Sequence, residues 1–162
     1  MRTRMLVLFA TASFCTAQKL PKFEQFAEAE TFTAKPAPPL LKTPAQRSFH
    51  TAIREGAAKG PNFAGHYTIV TWGCGSGCVS SVVVNAKTGA VHSLPFSNLG
   101  MDSSFEGDIE PLLFKLNSRL LIARGCPGER DCATYYYEWT GDHFRLIEKS
   151  SNKRTPAAGS LK

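Results

Sequence analysis

Four cysteines in two short spacings constrain this chain more than any other feature of it. Ile69-Val70-Thr71-Trp72-Gly73-Cys74 leads across three residues to Cys78, and Leu121-Ile122-Ala123-Arg124-Gly125-Cys126 leads across five to Cys132. Each is an apolar, β-prone run ending in Gly-Cys, and so reads as a strand entering a tight reversal that a disulfide can close. Four half-cystines allow three connectivities. The local pairs, Cys74 with Cys78 and Cys126 with Cys132, are the expected ones, because either crossed pairing needs the two loops to meet in space. Zinc fits poorly, since thiolate pairs are usually separated by about two to four residues and belong in reducing compartments.

From His66 onward, short β-branched and aromatic runs alternate with turn signals, which predicts strands over 66–72, 79–84, 90–94, 112–117, 120–125, 133–139 and 143–148. Lys87-Thr88-Gly89 and Thr140-Gly141-Asp142 are turn candidates, because glycine takes a positive φ without steric penalty. The order strand, cysteine loop, strand, glycine turn, strand occurs twice, which suggests two duplicated three-stranded meanders. Ahead of them, Thr43-Pro44-Ala45-Gln46 is a helix start: Thr43 caps, Pro44 suits the first turn and Gln46 reaches back. Ala45, Phe49, Ala52 and Ile53 form one apolar stripe, and Gly56 or Gly60 ends the helix. The expected fold is α+β, mainly antiparallel sheet of about seven strands, with one N-terminal helix packed on it.

The first 17 residues have the order of a cleavable secretory signal: Arg2 and Arg4, an apolar run from Met5 to Phe14, then Cys15-Thr16-Ala17 before Gln18. The run is too short for a membrane span, which needs about 20 apolar residues. Lipid attachment at Cys15 is not expected either, because Phe14 stands where a small residue belongs. Cleavage after Ala17 removes the odd cysteine and leaves residues 18–162, with no membrane span, exported to a periplasmic or secreted location. Residues 18–42 read as an extended segment carrying Phe23, Phe26 and Phe32, followed by a linker through Pro36, Pro38 and Pro39. Residues 43–148 read as one disulfide-bearing domain, and 149–162 as a disordered basic tail.

The formal charge of +6 belongs to the two ends. Residues 18–148 hold 13 basic and 13 acidic side chains, so the domain itself is neutral. A nucleic-acid binder collects Lys and Arg on a face of the folded domain to neutralise phosphates, and nucleic acid is therefore not an expected partner.

Gly60-Pro61-Asn62-Phe63-Ala64-Gly65-His66-Tyr67, Trp72-Gly73-Cys74-Gly75 with Cys78, and Tyr135-Tyr136-Tyr137-Glu138-Trp139 resemble the motifs of a family of small secreted bacterial proteins without an assigned activity. The resemblance spans roughly residues 23–148. It implies export and a bacterial source, and it carries over no site residue.

No catalytic set, metal or cofactor is assigned from the residues. Gly73-Cys74-Gly75-Ser76-Gly77-Cys78 lacks the lysine and spacing of a phosphate loop, and Ser76 lacks a hydrolase elbow, so the segment reads as a structural hairpin. The 126–132 loop is the stronger candidate. A disulfide at its base would hold Glu129, Arg130 and Asp131 in one shape for docking into a partner's cleft, although a stapled surface turn is the plainer reading. His66 with Tyr67 is the second binding candidate, because Gly65 permits a ligand or backbone to approach closely. Asp102, Glu106, Asp108 and Glu110 crowd a loop that could offer oxygens to calcium or a carboxylate to hydrolysis. Tyr135, Tyr137 and Trp139 share one strand face, read as core rather than as a stacking platform, because Thr134, Tyr136 and Glu138 make the more polar face. The functional expectation is a binding or inhibitor-like module for a protein or glycan of the cell envelope. The alternative is an envelope hydrolase using His66 with an acidic-loop carboxylate.

Overall fold

The computed structural model describes residues 19–101 and 110–151. The signal-like segment, Asp102, Glu106, Asp108 and most of the basic tail lie outside the described residues. The fold is α+β and mostly antiparallel sheet. A 3₁₀ turn (Phe23–Phe26) and two short helices, α1 (Pro44–Ser48) and α2 (His50–Ala58), precede strands β1 (Tyr67–Gly75), β2 (Cys78–Asn85), β3 (Val91–Ser93), β4 (Leu99–Gly100), β5 (Leu112–Phe114), β6 (Leu120–Pro127), β7 (Ala133–Trp139) and β8 (Phe144–Ser151).

The strands form a meander β1-β2-β3 and a second meander β6-β7-β8 that β5 extends along the free edge of β6, the two joined by β4. In register, Val79 of β2 and Pro127 of β6 both face Leu99, while Cys78 and Cys126 both face Gly100. A strand of two residues thus ties the tips of both cysteine hairpins to one another. Such a short element carries no alternation, which is why the sequence pattern does not announce it.

Alternation along the strands sorts the core into three clusters. Ile69, Val83, Leu121, Tyr135, Tyr137 and Trp139 point inward between the two meanders, with Phe63 fully buried among them. On the outer face of the first meander, Val70, Val82 and Val84 pack under Ile53 and Ala57 of α2. On the outer face of the second, Leu120, Ile122 and Tyr136 pack under Phe23 and Phe26. The expected core face of β7 is core, but the opposite face is buried as well. There Glu138 is ion-paired with Arg119 at 3.2 Å and with Arg145, so two cations compensate a carboxylate that is only 9% exposed.

The N-terminal segment is tied to the sheet along its length. Ser118 donates its hydroxyl to the Phe23 carbonyl at 2.9 Å, and Ala37 and Leu40 donate backbone N–H groups to Ala86 and Gly89 at 2.8 Å each. At the other end, β8 runs to Ser151 and pairs Lys149 with Tyr135, so the chain stays in the sheet past the expected start of the tail.

The helix start matches its sequence reading in detail: Gln46 N–H reaches Thr43 Oγ1, and Gln46 Oε1 accepts from Thr43 N–H, both at 3.1 Å. Beyond Ser48 the structure departs from that reading. The helix breaks at Phe49 (φ −107°, ψ 26°), where His50 Nδ1 lies 3.0 Å from the Arg47 carbonyl oxygen. The buried stripe after the break is Ile53 with Ala57, not the expected Ala45, Phe49, Ala52 and Ile53. Ala45 and Phe49 stay exposed. Gly60 ends α2, whereas Gly56 lies inside it, where a side chain would meet Val70.

Candidate functional site

Both cysteine pairs are local disulfides, Cys74–Cys78 and Cys126–Cys132. The second closes the turn between β6 and β7, and the sequence at its tip makes that turn unusual. Gly128, Glu129 and Asp131 all have left-handed backbone, with φ of 58°, 61° and 54°. For Glu129 in particular this conformation is uncommon and costs about 1–3 kcal/mol, so it persists only where the surroundings enforce it.

Backbone and side-chain contacts both enforce it. Glu129 N–H donates to the Cys126 carbonyl at 3.0 Å, and Gly128 N–H donates to the Asn98 carbonyl at 3.3 Å. Asp131 is held from the sheet: Lys149 of β8 pairs with its carboxylate, and the Tyr135 hydroxyl donates to its backbone carbonyl. Lys149 holds the Asp131 carboxyl below its ordinary range. Glu129 and Arg130 project from this frame, both exposed, and neither makes an ion pair among the described residues. The loop thus separates into anchors (Cys126, Cys132, Asp131) and a displayed pair, Glu129 with Arg130.

His66 and Tyr67 are not part of this constellation. Tyr67 opens β1, with His66 just before it, and stands six residues ahead of Gly73, which shares the row of Val79, Leu99 and Pro127. That places the pair about 20 Å along the strand from the hairpin tips. The Tyr67 ring is in the core against Trp139, with centroids 5.1 Å apart, and its hydroxyl donates to the Gly141 carbonyl at 2.9 Å. The His66 ring lies against Tyr67 at a tilt of 34°, centroids 4.3 Å apart, and is half-buried. Burial pushes the His66 imidazole below its ordinary value of 6.5, Lys87 pushes the same way, and Glu30 with Glu28 oppose. The room that Gly65 makes is taken by the chain itself, since a Cβ there would collide with the Glu30 carbonyl oxygen.

No family model, curated protein or solved structure matches this chain. Function therefore rests on the geometry. Among the described residues no group of three or more His, Cys, Asp or Glu converges as for a metal ion, and no helix is long and apolar enough to cross a membrane. Of the acidic-loop carboxylates, Glu110 alone falls within the described residues, where it is exposed.

Two contributors to the loop are missed by sequence reasoning. Lys149 reads as tail: the β8 register shifts at Ile147, and only the pairing of Glu148 to Ser151 with β7 carries the strand on to it. Asn98 sits in an irregular connection and gives no sequence signal.

Proposed function

We propose that this chain is an exported, inhibitor-like binding module that docks the Glu129-Arg130 tip of its 126–132 loop into a cleft on a protein of the cell envelope. One observation carries the reading: the tip is held in a left-handed conformation by a disulfide at its base and by Asp131's ties to Lys149 and Tyr135. A tip fixed beforehand loses little conformational entropy on docking, and its two exposed charges of opposite sign set register and partner choice. The signal-like first 17 residues and the two disulfides support export to an oxidising compartment. No observation on the described residues favours hydrolysis by His66.

The test is crosslinking of the oxidised protein to envelope and secreted extracts, beside a Glu129→Ala/Arg130→Ala variant with all cysteines intact. The expected result is a partner captured by the parent and lost by the variant. Equal capture by both, or capture by neither, overturns the loop as the binding element.

A further inference from the structure

A cleft of about 220 Å³ opens between the helices and the first meander, and the strand pairing explains where it lies. β3 pairs with Val82, Val83 and Val84, and β4 pairs with Cys78 and Val79, both along the edge of β2 that β1 leaves free. On that edge Ser80 and Ser81, paired with β1 on their other side, have no strand alongside, and the connecting residues 94–98 pass by outside any strand. The helix break supplies the opposite wall. It sets Phe49 over Trp72 with ring centroids 5.0 Å apart, and leaves Phe49 43% exposed although an aromatic partner is in contact. Phe96 adds a third ring.

The lining is chemically uniform in one respect: no ionisable side chain contributes to it. Its polar groups are hydroxyls and an amide. Ser80 and Ser93 make no side-chain hydrogen bond among the described residues, and Gln46 has its Oε1 engaged by Lys42 and Thr43 N–H groups, which leaves its NH₂ to donate. The Trp72 indole N–H is also without an acceptor there.

We propose that this cleft binds one ring of a neutral saccharide. The exposed Phe49 ring, backed by Trp72 at a tilt of 31°, offers an apolar face to the C–H side of a pyranose, and the serine hydroxyls both donate and accept, as sugar hydroxyls require. A phosphorylated or carboxylated ligand would lose its hydration here without meeting a counter-charge. A purely apolar ligand would leave the hydroxyls unpaired. The volume falls below the roughly 300–1,000 Å³ of sites for drug-sized ligands, which suits a single ring. The site shares no side chain with the 126–132 loop, although Ser97 lines it and the neighbouring Asn98 carbonyl holds Gly128.

The protein has two tryptophans, Trp72 in the cleft and Trp139, which is 1% exposed, so indole emission reports on the cleft. The test is titration of the full oxidised chain with glucose and with N-acetylglucosamine, followed by emission and by calorimetry. At least one sugar is expected to saturate in the millimolar range. Phe49→Ala should weaken it about tenfold and Ser93→Val by a smaller factor, each with circular dichroism unchanged. Trp72→Phe should abolish the emission change and, by shortening the aromatic wall, weaken the binding read by calorimetry. Glu129→Ala/Arg130→Ala should leave the affinity unaltered, which keeps this result separate from the fate of the loop. Absence of saturation up to about 100 mM, or equal binding of glucuronate or of cyclohexanol, overturns the proposal. So does affinity indifferent to both Phe49→Ala and Ser93→Val.

Discussion

The two cysteine hairpins use one covalent device for different ends. Both begin with Gly-Cys at the end of an apolar strand, and both rest against β4. At the tip of β1 and β2, residues 73–77 are exposed, uncharged and rich in glycine, and a Cβ added at Gly73 would meet nothing within 4 Å. At the tip of β6 and β7, Cys126 is 3% exposed, the left-handed positions include Glu129 and Asp131, and β4 and β8 both hold the turn. A disulfide across a glycine turn closes a chain that could turn anyway. Across a charged, left-handed turn it belongs to a set of contacts that fixes one shape, and only the second arrangement presents side chains to a partner.

The sharpest way to break this comparison is at the paired glycines. Gly125 has φ +154°, and a Cβ on it would lie 2.5 Å from the Gly100 carbonyl oxygen and 2.8 Å from Leu99 Cγ. Gly125→Ala must therefore push β4 away from β6, at an expected cost of about 3 kcal/mol or more, whereas Gly73→Ala should stay within about 0.5 kcal/mol. Urea unfolding of the two variants measures both. Equal costs would mean that β4 grips the two hairpins alike.

Removing the disulfides one at a time comes next. The loops are of similar length, and chain entropy assigns about 2 kcal/mol to each. Cys126→Ser/Cys132→Ser also places a hydroxyl in a buried site, so its total should reach about 3–4 kcal/mol, against about 2 kcal/mol for Cys74→Ser/Cys78→Ser. Unfolding midpoints of the double variants decide the order, and a larger loss from the first hairpin would reverse the assignment of which tip is structural.

Much of this contrast is legible in sequence because it is local. A capping box spans four residues, so Thr43-Pro44-Ala45-Gln46 announces its own helix start. Strand alternation places Tyr135, Tyr137 and Trp139 together, and short spacing pairs each cysteine with its neighbour. What is not legible depends on residues far apart in the chain. Tyr136 and Glu138 look like an outward face until Phe23, Phe26 and Arg119 cover them. Phe49 looks like core because its periodicity is right, but the helix breaks at that residue. Lys149 reads as tail by composition and becomes an anchor only through pairing opposite Tyr135. The proposed saccharide cleft has walls from the helix start, β1, β2 and residues 93–97, a combination no linear motif contains.

Alkali should separate the halves by a smaller margin. The second hairpin carries Tyr137, whose phenol burial pushes up to about 12 from its ordinary 10.0. A raised folded-state pKa means stability that is intact below pH 10 and lost as pH rises toward 12, since the unfolded chain releases the proton first. Tyr137→Phe should flatten that loss, as read by denaturation at a series of pH values. Amide exchange in the parent should show β6 and β7 opening before β1 and β2. A variant that keeps the parent's alkaline slope would locate the titration elsewhere.

The smallest expected effect tests the tip itself. Lys149 and Asp131 are surface groups, so Lys149→Ala should leave global stability nearly unchanged, as exposed ion pairs generally do. Its consequence is local. Without the cation, Asp131 keeps the Tyr135 hydroxyl bond and Cys126–Cys132 stays closed, but the carboxylate is released and the left-handed segment from Gly128 to Asp131 gains freedom. Trypsin cleavage after Arg130 reads that freedom directly, because the bond must leave its folded shape to enter a protease. Faster cleavage at Arg130 in Lys149→Ala, at an unaltered unfolding midpoint, would show that β8 holds the tip. The same loosening should appear in the parent as pH falls through the depressed Asp131 pKa, where protonation removes the charge that Lys149 grips. Trypsin does not work in acid, so amide exchange at Glu129 and Arg130 is the readout there. Cleavage at the parent's rate, with exchange that ignores the Asp131 titration, would leave the disulfide and the β4 contact as the tip's supports, and would make the two hairpins more alike than their sequences suggest.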